Sequence, residues 1–142
     1  MALGAEGVWC GSVWLTTEES EVVPTIKDKF LGATSSDTTR SRSMTGKPAR
    51  MLKSAWTQEW EREDTPDPLA MPLQSQLVAR PQARIRNYAH ASDGAAQLSQ
   101  YFVGQVVGQA DAVRPAGRVV MDIVEEFVDT VTSLNERMGQ MG

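Results

Sequence analysis

Apolar and polar positions follow three different spacings along this chain, and each predicts a different kind of element. Near the start, Val8-Trp9-Cys10 is a short continuous apolar run, as expected of a buried strand, and it stops at Gly11-Ser12. A helix-start pattern, Thr16-Thr17-Glu18-Glu19-Ser20, follows within a few residues. Between Ser20 and Leu31 the apolar residues Val22, Val23, Ile26, Phe30 and Leu31 predict a helix. Pro24 stands near its start, where a first turn tolerates it, and Gly32 is a natural stop. Thr34 to Thr39 is polar and loop-like, and the weak alternation from Thr38 to Met44 predicts a short extended piece. Lys47-Pro48 then opens an expected helix over Ala49 to Glu63, with Met51, Leu52, Ala55, Trp56 and Trp60 on one face.

The second half is more helical. Asp64-Thr65-Pro66-Asp67-Pro68 is a loop, and a helix is expected from Leu73 to Ala89, broken or kinked at Pro81. Asp93-Gly94 predicts a turn, and Ala95 to Val107 a helical or partly irregular stretch containing Gly104. The clearest element is the last. After Pro115, Val119, Val120, Ile123, Val124, Phe127, Val128, Val131 and Leu134 form an apolar stripe, with Asp122, Glu125, Glu126 and Asp129 on or beside the other face. No internal repeat or long low-complexity tract interrupts this order.

Composition narrows the classes. The chain has 142 residues, the size of one domain and too few for a complete (β/α)8 barrel, which needs about 250. Hydrophobic content of 41% and charged content of 23% are ordinary for a soluble protein. A formal net charge of −4 with no basic block argues against nucleic acid as a partner. Cys10 is the only cysteine, which excludes an internal disulfide and a thiolate metal cluster, and no metal site is expected. No apolar run approaches the roughly 20 residues that span a bilayer, and no signal-peptide pattern opens the chain. A soluble protein of the reducing cytoplasm, without a membrane partner, is the expectation.

Few residues invite chemistry. A strand ending in Gly11-Ser12 before a helix leaves backbone N–H groups free, a geometry that suits a phosphate, although a tight strand-to-helix turn accounts for the same residues. Trp14 and Leu15 read as packing residues. Glu18, Glu19 and Ser20 read as first-turn charges and a possible cap rather than paired acids. His90, the only histidine, stands at a helix end, where capping of carbonyls outweighs base catalysis. Cys10 reads as an inert small hydrophobe. Arg40, Arg42, Lys47 and Arg50 read as a solvated basic cluster, with contact to an anion such as a coenzyme A phosphate as the lesser alternative.

The string from Gly4 to Ser20, Gly-Ala-acid-Gly-Val-x-x-Gly-Ser-x-x-Leu-x-Thr-x-Glu-Ser, resembles the last barrel strand of the nitronate monooxygenase family. The resemblance continues at Thr45-Gly46-Lys47-Pro48-Ala49-Arg50, Met71-Pro72-Leu73-Gln74 and Tyr101-Phe102-Val103-Gly104-Gln105. It implies an α/β fold class: the C-terminal part of an FMN-dependent TIM barrel, its last strand and phosphate loop followed by a mostly helical tail. The implied divisions are residues 1–35 (strand, FMN phosphate loop and helix), 36–68 (extended piece, helix and loop) and 69–142 (helical segment). In the family the strand-end tetrapeptide contacts the flavin, which here implicates Trp9, Cys10, Gly11 and Ser12. The family more often has Thr where Ser12 stands, a change that keeps the hydroxyl. Gly104-Gln105 matches a family pair that faces either the flavin or a packed helix. The catalytic histidine of the family belongs to an earlier strand, so His90 is not its counterpart and the catalytic residues stay unassigned.

The implied activity is oxidation of a small alkyl nitronate to a carbonyl compound and nitrite. Two alternatives stand beside it: flavin-dependent enoyl reduction of coenzyme A thioesters in steroid-ring breakdown, and a non-catalytic, truncated or split helical module. The expected partners are a small-molecule substrate and either the missing N-terminal barrel portion or a second copy. An unpaired strand exposes backbone and apolar groups. The chain alone is therefore expected to be unstable or oligomeric, and inactive.

Overall fold

A computed structural model describes residues 4–140. A 3₁₀ turn, Ser12–Thr16, is followed by α1 (Pro24–Gly32), a hairpin of β1 (Thr38–Ser41) and β2 (Ala49–Leu52), then α2 (Ala55–Trp60), α3 (Leu73–Tyr88), α4 (Asp93–Leu98) and α5 (Ala116–Gln140). The hairpin is antiparallel, with Thr38 opposite Leu52 and Ser41 opposite Ala49. Tyr101 to Val103 runs along the other side of β2: Leu52 N–H donates to Tyr101 O at 3.1 Å and Val103 N–H to Arg50 O at 3.1 Å.

This three-stranded patch carries the core. Ile26, Phe30 and Ala33 of the α1 region pack on Leu52 and Val103, ringed by Leu15, Val22, Val23, Tyr101 and Val107. Phe30 meets Tyr101 edge to face, with ring centroids 6.3 Å apart. Beside it, α2 packs on α4 and β1, and α3 on α4.

Two expected elements change identity. Ala49 to Leu52 is strand rather than the first turn of a helix, because its backbone pairs on both sides, with β1 and with the 101–103 segment. The helix begins only after Ser54, whose hydroxyl accepts from Thr57 N–H while the Thr57 hydroxyl accepts from Ser54 N–H. Asp93-Gly94 is likewise not a simple turn. Ser92 caps Ala95 N–H, and a short helix runs from Asp93 to Leu98. Its last carbonyls are met by Lys29 of α1, which donates to Ala96 O and Ser99 O, and half-burial there lowers the Lys29 pKa. The helix expected over 73–89 forms over Leu73–Tyr88, and Pro81 stands inside it without breaking it.

The expected strand at Val8-Trp9-Cys10 does not form within this chain. Val8 is 75% exposed and Trp9 fully so, and no strand pairs with them. A parallel barrel strand gains its hydrogen bonds only from neighbouring strands. No segment of the described chain pairs with it. The last helix forms as expected, but its stripe is divided. Val119 is buried and Ile123 half-buried, whereas Val120, Val124, Phe127, Val131, Leu134 and Met138 are exposed. Their spacing alternates four and three, the seam of a helix made to pack lengthwise.

Candidate functional site

The loop after the N-terminal run is held from two sides. The Trp14 indole N–H donates to Cys10 O at 2.7 Å, folding the tetrapeptide Trp9-Cys10-Gly11-Ser12 back over the 3₁₀ turn. The Ser12 hydroxyl accepts the backbone N–H of Gly104 at 2.7 Å, across 92 positions of sequence. Gly104 reaches it because Val103, one residue earlier, is sunk in the core and bonded to Arg50.

The tetrapeptide, Val103 and Gly104 border a cleft of about 780 Å³. One wall is Trp9, Cys10, Gly11 and Ser12; the loop from Gly104 to Ala110 makes another; Val119, Asp122, Ile123 and Glu126 of α5 close the third. The volume lies within the range of small-molecule and cofactor sites. Gly108 shapes the loop wall. It has a φ of +95°, and a Cβ there would come within 3.0 Å of Ala33 O, so only glycine lets the loop rest on the end of α1. Gly11 differs: a Cβ there would meet nothing within 4 Å, so no contact inside the chain demands a glycine.

Charge in the cleft comes from one side. Arg114 donates to Asp122 at 2.7 Å, and Arg118, one turn before Asp122, pairs with the same carboxylate at 2.7 Å. Glu126 adds a second carboxylate from α5. The opposite wall, from Cys10 to Ser12 and at Gly104, offers backbone groups, a thiol and a hydroxyl. The carboxylates that line the cleft thus stand on the α5 side, and the opposite wall carries none.

All four residues expected at the cofactor thus line one cleft, and the Gly104 motif lines it with them. Gly108, Arg114, Asp122 and Glu126 were missed. The i, i+4 pair Asp122 and Glu126 beside Val119 and Ile123 was the available signal, since it marks a mixed face distinct from the apolar seam.

Other candidates have structural roles. Glu19 does not cap the helix it precedes. Its carboxylate accepts Ala116 N–H at 2.8 Å and so caps α5, beside a parallel bridge between Thr17 and Arg114. Ser20 accepts only from Val22 N–H, and α1 starts without a side-chain cap. His90 is exposed, its ring makes no hydrogen bond among the described residues and it lies outside the cleft, so the capping expected of it is not seen. The basic cluster is only partly solvated: Arg42 donates to Gly46 O and Pro68 O, and Arg50 to the Thr38 hydroxyl at 2.7 Å. Gln74 is fully buried. It donates to Ser43 O at 2.8 Å and accepts from Leu69 N–H at 2.9 Å, stitching the hairpin loop to the start of α3. Among the described residues no cluster of His, Cys, Asp and Glu could hold a metal ion.

A family model for nitronate monooxygenase matches residues 1–126. This chain belongs to the nitronate monooxygenase family. It is 68% identical over 136 residues to Rv1533 of Mycobacterium tuberculosis, a protein named as a monooxygenase, covering 94% of this chain and 36% of the relative. It is 29% identical over 129 residues to a Staphylococcus aureus protein named as a nitronate monooxygenase, covering 89% of the chain and 34% of that relative. Among solved structures, FabK from Thermotoga maritima superposes with a TM-score of 0.69 at 31% identity, over 94% of this chain and 40% of that one. The fold class is thereby that of part of an α/β barrel enzyme. The chain spans about a third of the length of the curated relatives it matches.

Proposed function

We propose that this chain carries the phosphate end of the FMN site of a flavin-dependent oxidoreductase. The observation that carries the reading is the cleft in which the Ser12 hydroxyl, the open face of Gly11 and the Gly104 loop converge. The residues fit the group. Gly11 leaves room for close approach, the Ser12 hydroxyl can donate to a phosphate oxygen, and no carboxylate stands on that wall. When bound, FMN supplies the electron chemistry. The chain's part is to bind and orient: Ser12 holds the phosphate, Trp9 and Cys10 border the mouth, and Asp122 keeps Arg114 paired on the far wall.

The family supports oxidation of a small alkyl nitronate to a carbonyl compound and nitrite as the reaction. The likeness to FabK favours a second reading, flavin-dependent reduction of an enoyl thioester such as a coenzyme A ester. Oxygen consumption with a nitronate, against oxidation of a reduced nicotinamide cofactor with an enoyl thioester, separates the two. The exposed seam of α5 and the unpaired 8–10 run support a protein partner. The barrel portion that the relatives carry beyond the matched third fits both surfaces, since it would offer a strand edge to one and a helix layer to the other. No helix among the described residues is long and apolar enough to cross a membrane, and a cytoplasmic protein is part of the proposal.

Quenching of flavin fluorescence in a titration with FMN tests the site, with Gly11→Asp as control. Saturable quenching lost in the variant is the expected result. Absence of saturable binding would make the chain a non-catalytic helical module.

A further inference from the structure

We infer that Gly104 is a positioning residue: its backbone N–H fixes the Ser12 hydroxyl so that the hydroxyl proton is presented to the phosphate of the bound flavin. The inference rests on the flavin reading above and adds to it a second residue, a direction for the proton and a basis for choosing phosphorylated over unphosphorylated flavin.

The argument begins with donor and acceptor counts. A backbone N–H can only donate, so in the 2.7 Å contact between Gly104 N and Ser12 Oγ the hydroxyl is the acceptor. A serine hydroxyl that accepts one bond keeps its single proton to give elsewhere. Among the described residues Ser12 Oγ has no second partner, and both residues line the cleft. A hydroxyl polarised by an incoming N–H is also the stronger donor. Ser12 therefore stands as an oriented donor on the wall without carboxylates, the arrangement an anionic oxygen requires.

Position 104 suits this task for a steric reason. A Cβ there would lie 3.3 Å from Ser12 Oγ, tight enough to push the hydroxyl aside. The backbone around Gly104 is anchored independently of any ligand, through buried Val103 and its bond to Arg50. The hydroxyl oxygen is thus held before the ligand arrives, which lowers the ordering cost of binding.

The test compares FMN with riboflavin, which lacks the phosphate, by fluorescence titration of the protein and of S12A, S12T, G104P and the S12A/G104P pair. S12A is expected to weaken FMN binding by about tenfold or more, as for loss of a hydrogen bond to a charged group, and to leave riboflavin within about twofold. S12T restores FMN binding. G104P weakens FMN binding on its own but adds nothing in the S12A background, because Gly104 acts through Ser12. An equal loss for FMN and riboflavin in S12A, or a G104P effect of the same size in both backgrounds, overturns the inference. Should G104P fail to fold, hydrogen exchange at the Gly104 amide replaces it: slower exchange in the wild type than in S12A supports the bond, and equal exchange overturns it. Failure of the wild type to bind either flavin defeats the flavin reading itself, whereas FMN binding undiminished in S12A defeats the phosphate contact of Ser12 and the positioning role of Gly104 and leaves the flavin site standing.

Discussion

Phe30 and Phe127 are the same residue on two amphipathic helices, yet they end in opposite surroundings. Phe30 is 3% exposed, closed in by Ile26, Leu52, Val103 and Tyr101, while Phe127 is 43% exposed in the middle of α5. Both helices were predicted from the same kind of periodicity. The difference lies in what each stripe meets. The stripe of α1 meets β2 and the 101–103 segment, which are joined to each other by backbone bonds within this chain. The stripe of α5 is anchored only at its first turns, by Glu19, the bridge at Thr17 and buried Val119, and then runs clear of the body. Periodicity reports that a face must be covered; it does not report by what.

The largest expected effect tests the closed half. Phe30→Ala should cost about 3–5 kcal/mol in denaturant unfolding, because the surrounding side chains can close the cavity only in part. A loss below about 1 kcal/mol would mean that this core is no better packed than α5 and would erase the contrast. Gly46→Ala should come next, at more than about 2 kcal/mol. Its φ of +80° disfavours any side chain, and the new Cβ would press against Leu69 O and lie within 2.7 Å of Met71 N. Thermal melting measures it, and an unchanged midpoint would show that the loop between β1 and β2 is not held against the 69–71 segment.

A smaller effect is tied to pH. The N–H and hydroxyl of Thr34 hold the Asp37 carboxyl below its ordinary pKa in a capping box at the entry to β1. A carboxylate lowered on folding contributes stability that is fully present above its unfolded pKa of about 3.9 and is lost as pH falls through the lower folded value. Melting curves across that acid range should show the loss in the wild type and a flatter profile in Asp37→Asn; identical profiles would remove the cap from the account. The smallest effect on folding belongs to the open half. Phe127→Ser should change unfolding free energy by no more than about 0.5 kcal/mol. It should instead reduce concentration-dependent association in sedimentation velocity. A wild-type chain that stays monomeric at all concentrations and melts cooperatively would show that the seam needs no cover.

The candidate site was readable in outline because its main signal is local. Trp9 to Ser12 is one continuous string, and its resemblance to the strand-end tetrapeptide of the family needs no long-range information. Gly104 was visible only as part of a motif with two readings, and its partner, 92 positions away, could not be named from spacing. Asp122 and Glu126 escaped for the same reason, since a charge on an amphipathic helix looks alike whether it faces solvent or a cleft, and Arg114, in the segment before α5, carries no local signal. Glu19 shows the converse error. Its place before α1 suggested a cap for that helix, but the first N–H of α5 lies closer in space.

The sequence by itself determined the element types where periodicity ran long, as in α1, α3 and α5, and the breaks marked by Gly32 and Pro115. It also determined the membership in a family, through motifs spread along the chain. Tertiary structure decided the rest. Ala49 to Leu52 became a strand because pairing on both edges outweighs a helical pattern of four residues, and Val8 to Cys10 stayed unpaired because a strand requires a neighbour. Helices satisfy their backbone from within and can be predicted from nearby residues, whereas strands and clefts depend on distant ones. For that reason the long helices α1, α3 and α5 could be read from nearby residues, whereas the strand at Ala49–Leu52 and the walls of the cleft could not.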